Sequence, residues 1–153
     1  MAEDHHRFMR TAIEEAAKAG EGGNRAVGAV IVRGGEVVAR GGNCRESAVD
    51  PLGHAETSAL RNMVAATGSL DFSGCTLYTT LEPCPMCCGA IAINNVPAIV
   101  VGVMHTSGER RWGDYTVHKV LELVGQGNSV ATGVLADECN AVLHEWDVKQ
   151  GRA

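Results

Sequence analysis

At 153 residues and a net charge of −5, the chain is expected to fold as a single domain, 1–153, with scattered basic residues rather than the basic face a phosphate-bound protein usually shows. Hydrophobic residues make up 45% and aromatics only 4%, with abundant Gly and Ala, a composition suited to closely packed helices and sheet. The polar stretch Met1 to Arg10 lacks the apolar run of a signal peptide and nothing approaches a membrane span, so a cytoplasmic protein is expected, its six cysteines reduced or metal-bound rather than paired.

In chain order, Phe8, Met9, Ala12, Ile13, Ala16 and Ala17 recur at helical spacing and predict a helix from about Asp4 to Ala19, ended by Gly20. Gly20 to Asn24 has neither a preceding strand nor a following Lys-Ser/Thr, so it reads as a loop and not a phosphate cradle. Ala26 to Val32 and Glu36 to Arg40 are strand-like and flank Arg33-Gly34-Gly35, the pattern of an antiparallel hairpin. Gly41 to Gly53 is a loop rich in turn-forming residues. It contains Asn43, whose carboxamide suits either reading a base edge or satisfying a tight turn. Helices follow over His54 to Ala66, Cys84 to Asn94, Tyr115 to Val124 and Leu135 to Val148, alternating with strands over Cys75 to Thr80, Pro97 to Val103 and Ser129 to Val134. Helices between strands imply right-handed crossovers and parallel pairing, giving an α/β fold with a mixed five-stranded sheet between helical layers. Arg110-Arg111 is the densest basic cluster.

Two short stretches carry the chemistry: His54-Ala55-Glu56, and Pro83-Cys84-Pro85-Met86-Cys87 one strand later. Both open helices, so His54, Cys84 and Cys87 can converge on one point. Unpaired N–H groups at a helix start favour thiolate over thiol, and catalytic zinc takes three protein ligands while leaving a fourth position to water. A zinc so held brings the pKa of its water to about 7, and Glu56, a carboxylate beside the ligands, is placed to shuttle protons. A closed structural site would need a fourth ligand such as Cys44 or Cys88. Cys88 follows Cys87 directly and so faces another side of the helix, and a structural site has no use for Glu56.

H-x-E followed by P-C-x-x-C is the signature of zinc-dependent nucleobase deaminases, and the chain resembles the cytidine deaminase superfamily over nearly its whole length. The resemblance implies a three-layer αβα cytidine-deaminase-like fold, a homodimer, and Asn43 at the position of the base-reading Asn. Three branches compete. Met104-His-Thr106 through Trp112-Gly-Asp114 to Lys119 resembles bacterial guanine deaminases and marks Trp112 and Asp114 as purine-holding positions. Leu77-Tyr-Thr-Thr80, Val100-Val-Gly102 and the tail Trp146-Asp147 resemble fungal-type cytosine deaminases, which close the pocket with C-terminal aromatic and acidic residues. Gly133-Val-Leu-Ala-Asp-Glu-Cys139 is similar to tRNA adenosine deaminases, although the basic tail usual in those enzymes is missing and Arg25-Ala-Val-Gly-Ala29 departs from their Val-Pro-Val-Gly-Ala. Trp112 and Trp146 could equally cover core, and Asp114 could cap the helix beginning at Tyr115. The expected function is therefore zinc-dependent hydrolytic deamination of a small free nucleobase-like ring, with no membrane partner. Adenosine deamination in tRNA is the first alternative, and a non-catalytic zinc-stabilised interaction module the second.

Overall fold

The structure, a computed structural model, describes residues 2–106 and 112–152. Helix α1 (Ala2–Glu21) leads into strands β1 (Gly28–Arg33) and β2 (Glu36–Gly42), followed by α2 (Ala55–Thr67), β3 (Cys75–Leu81) and α3 (Pro85–Ile93). The chain continues through β4 (Ala98–Val103), α4 (Val117–Val124), β5 (Ser129–Ala131) and α5 (Ala136–Lys149). The basic pair Arg110-Arg111 lies outside the described residues.

The strands form one five-stranded sheet in the order β2-β1-β3-β4-β5. β1 pairs antiparallel with both β2 and β3, whereas β3, β4 and β5 pair in parallel, as the intervening helices α3 and α4 require. The period-two alternation of strand side chains separates the helical layers. Ile31, Leu77, Ile99 and Val101 pack toward α2, α3 and α4, while Val30, Val32, Tyr78 and Val100 pack toward α1 and α5. The αβα arrangement thus follows from strands that are apolar on both faces.

Small residues let α1 lie directly on the sheet. A Cβ on Gly28 would stand 2.0 Å from the Ala12 carbonyl oxygen and 2.4 Å from the Ala16 nitrogen. Both neighbours are helix backbone and cannot swing aside. Gly28→Ala is expected to destabilise the fold by about 3 kcal/mol, the upper part of the overpacking range, lowering Tm by roughly 6–12 °C in thermal melts. An unchanged Tm would show that α1 can slide.

Three element ends differ from expectation for local reasons. α4 starts at Val117 because Thr116 is its N-cap, with Thr116 Oγ1 accepting from the Lys119 N–H at 3.1 Å. Asp114 is exposed and caps nothing; its carbonyl accepts from Lys119 Nζ. β5 stops at Ala131 rather than Val134, and Gly133 and Leu135 follow with left-handed backbone, φ 78° and 51°. α1 begins at Ala2, with Glu3 and Asp4 placing acid at its N-terminus. Among the described residues no helix is long and apolar enough to cross a membrane, and all six cysteines are free.

Candidate metal centre and active site

Two helix N-caps build the metal centre. His54 precedes α2 with extended backbone, φ −83° and ψ 166°, and its N–H donates to Thr57 Oγ1 at 3.1 Å. Cys84 precedes α3 in the same conformation, φ −68° and ψ 170°, with Pro85 at the first helical position. Cys84 Sγ accepts from the Cys87 N–H at 3.4 Å, so this ligand also caps its helix. His54 Nδ1 lies 3.4 Å from Cys84 Sγ and 3.6 Å from Cys87 Sγ.

One imidazole nitrogen and two thiol sulfurs, all within 4.8 Å of one another, suit zinc. Bonds of about 2.3 Å to sulfur and about 2.0–2.1 Å to nitrogen at tetrahedral angles separate those atoms by about 3.5 Å. The electrostatics agree. The hydrogen bond from the Cys87 thiol, with help from His54, pulls the Cys84 thiol down to about 4. The same sulfur contact and burial push Cys87 up, and the bond to Cys84 raises His54 above the usual imidazole range. The cluster thus gathers an anionic sulfur beside two groups that hold their protons while no cation is near, and binding a divalent cation would displace those protons. Neither Cys44, beside Ser58 Oγ at 3.6 Å, nor Cys88, directed at the Val117 carbonyl, joins this group.

Glu56 sits in the first turn of α2 and is 3% exposed. Burial raises its carboxyl above the ordinary range, opposed by hydrogen bonds from Cys87 and Thr79. Thr79 Oγ1 lies 2.6 Å from Glu56 Oε1 and 3.0 Å from the Leu81 carbonyl oxygen. Its single proton can serve only one of them at a time. An ionised Glu56 takes that proton, whereas a protonated Glu56 donates to the Thr79 oxygen and leaves the hydroxyl to Leu81.

These groups open into a cavity of about 620 Å3 whose wall includes Asn43, His54, Glu56, Cys84, Trp112 and Asp147. Asn43 is committed to the turn on both sides: Oδ1 accepts from the Arg45 N–H at 3.1 Å, and Nδ2 donates to the Arg25 carbonyl at 3.3 Å. One N–H and one lone pair remain, enough to meet a ring edge. Cys87 is buried behind Cys84. Asp114 and Trp146 do not line the cavity.

Trp146 packs with Ala16, Ala26 and Val142, and a Cβ on Gly20 would meet its ring at 2.4 Å. Lys149 Nζ lies 4.3 Å from the centre of the same ring. The residue at the wall is its neighbour Asp147, whose Oδ2 is 3.8 Å from Arg25 Nη2 and whose Oδ1 is buried without a hydrogen-bond partner. Asn140, Leu143 and Asp147 all line the cavity at helical spacing, a one-face pattern already present in the sequence. His105 also lines it; it lies in the Met104-His-Thr106 stretch, though no role was assigned to it there.

The cytidine and deoxycytidylate deaminase zinc-binding region matches residues 2–103. The chain therefore belongs to this family of zinc-binding deaminases, a class its αβα fold and His-Cys-Cys site also define. It is 38% identical over 138 residues to the tRNA-specific adenosine deaminase of Bacillus subtilis, covering 89% of this chain and 84% of that one. It is 36% identical over 123 residues to the guanine deaminase of the same organism, covering 78% of each. A solved structure from work on A-to-I editing by tRNA:A34 deaminases superposes with a TM-score of 0.79 at 31% identity, covering 89% of this chain and 98% of the other.

Proposed function

We propose that this protein hydrolyses the exocyclic amine of adenosine within tRNA, releasing ammonia and leaving inosine. The observation that carries this reading is the likeness to tRNA adenosine deaminases along most of both chains. The cavity is compatible in size: about 620 Å3 exceeds what a bare base fills. Our expectation of a small free base rested on the scarcity of positive charge after Trp146 and on the departure at Arg25-Ala-Val-Gly-Ala29. Arg25, Arg45 and Arg152 at the wall are matched by Glu46, Glu56, Glu82 and Asp147, with Arg25 3.8 Å from Asp147 and Arg45 3.1 Å from Glu46, so the tRNA reading rests on the likeness to tRNA deaminases and not on a basic field.

In this reading His54, Cys84 and Cys87 hold zinc, which when bound supplies a Lewis acid and a readily ionised water. Glu56 accepts a proton from water and passes it to the ring nitrogen beside the amine-bearing carbon, then takes the second proton from the hydroxyl added to that carbon and delivers it to the departing amine. The C–N bond breaks as the C=O bond forms, and each proton passes through Glu56. Thr79 holds the carboxylate in line, Asn43 meets the ring edge and Trp112 flanks it. Thr79→Val is expected to lower kcat by about 10-fold, the loss of one hydrogen bond to a charged group. Thr79→Ser should restore most of it, and equal rates for all three proteins would remove Thr79 from the mechanism.

A second reading, deamination of a free base such as guanine, is favoured by Asp147. A buried carboxylate oxygen without a partner beside the cavity can accept from a ring N–H that a free base carries and a nucleoside has replaced by its sugar bond. The deciding experiment follows ammonia release from zinc-loaded protein on an adenosine-containing anticodon hairpin, guanine, cytosine and their nucleosides, at about 50 and 200 mM salt. Turnover of the hairpin that weakens steeply with salt is the expected result. Turnover of a free base with none on the hairpin would overturn the tRNA reading in favour of the second.

A further inference from the structure

We propose that Glu82 is a positioning residue for the deaminase site, its carboxylate fixing His105 and Val117, on either side of Trp112, to the strand end that delivers Cys84. Glu82 is 2% exposed, among the few buried charged residues described. Its own N–H donates to the Val103 carbonyl at 2.7 Å, fastening it to the end of β4. Both side-chain oxygens are then used on backbone donors from the connection between β4 and α4. Oε1 accepts from the His105 N–H at 3.1 Å and Oε2 from the Val117 N–H at 2.9 Å. One carboxylate therefore holds the main chain at both His105 and Val117, one oxygen to each N–H.

The neighbouring residue adds a third attachment, because Tyr115 Oη donates to the Pro83 carbonyl. Trp112 stands edge-on to both anchored rings: its centroid is 5.8 Å from that of His105 at 84°, and 5.8 Å from that of Tyr115 at 89°. Glu82, His105 and Trp112 all line the cavity with Cys84. The Glu82-Pro83 dipeptide thus joins two parts of the site: two residues onward it becomes a metal ligand, and sideways it holds the two rings that set Trp112. A glutamine would fill the same space but offers one acceptor oxygen, so one of the two N–H groups would face an amide NH2.

The inference rests on the deaminase site and not on which substrate enters it, so its main readout is independent of substrate. In a Trp146→Phe background Trp112 is the single tryptophan of a chain that has two. Zinc-loaded Glu82→Gln in that background is expected to keep its zinc and its circular dichroism while acrylamide quenching of Trp112 rises at least about twofold. KM for the anticodon hairpin should rise about tenfold with kcat within about threefold, because substrate contacts shift while Glu56 stays in place. A lower Tm with unchanged Trp112 quenching would reduce Glu82 to a structural residue and overturn the proposal. If Glu82→Gln does not fold, Glu82→Asp decides: it keeps a carboxylate with two acceptor oxygens but draws them back by one methylene from the His105 and Val117 N–H groups, and unchanged quenching there would equally overturn the proposal. A hairpin that is not turned over refutes the tRNA reading alone, since the fluorescence still tests Glu82.

Discussion

Glu56→Gln is expected to lower kcat/KM by at least about 10^3-fold, within the range a positioned general acid–base supplies. The substitution preserves length, shape and the acceptor that meets Thr79 Oγ1 at 2.6 Å, so zinc content and fold should match the parent. Proton transfer alone is removed. Stability offers an independent check once zinc is stripped with a chelator. Burial raises the folded-state pKa of Glu56 above its unfolded value. Its contribution to stability is then full below the unfolded pKa and is lost as pH rises through the folded one. At neutral pH the metal-free parent must bury a charge or take up a proton to fold, a cost the glutamine variant does not bear. Metal-free Glu56→Gln should therefore melt at a higher temperature than the metal-free parent at neutral pH, with the gap closing in acid. A variant retaining more than a tenth of parental activity would remove Glu56 as the proton shuttle.

Much of this site was legible because metal ligation and helix capping coincide. His54 and Cys84 are each the last extended residue before a helix, so a local pattern marked both the element boundary and the ligand. Helices lying between strands likewise disclosed the parallel part of the sheet, since β3, β4 and β5 are each joined through a helix. What stayed hidden depends on partners distant in sequence. That β1 lies between β2 and β3 is a matter of pairing, not of composition. Trp146 and Asp147 show the same limit within one helix. The aromatic residue drew attention, but helix phase turns Trp146 onto Gly20 and presents Asp147 to the cavity. Glu82 looked like the residue before a proline, and its two backbone partners lie 23 and 35 positions away.

Removing one metal ligand carries the other large effect, and the two cysteines should separate ligation from capping. Cys87→Ala deletes a buried sulfur 3.6 Å from His54 Nδ1 and leaves the Cys84 cap on α3 in place. Zinc affinity should fall by well over about 100-fold, beyond the loss usual for residues that only support a ligand, and deamination should cease. The parent gains stability from metal as RT ln(1 + [Zn]/Kd), about 4 kcal/mol when free zinc is a thousand times Kd. Zinc-buffered melts should show that rise for the parent and at most about 1.4 kcal/mol for Cys87→Ala, the gain left after a 100-fold loss of affinity. Cys84→Ala should lose the metal equally but start from a lower metal-free Tm, because the Cys87 N–H loses its acceptor at a cost of about 0.5–2 kcal/mol. Equal metal-free stability for the two variants would mean that Cys84 does not cap α3. A Cys87→Ala protein that binds zinc as tightly as the parent would move the metal away from this triangle, and with it the physical reason for a buried carboxylate at Glu56.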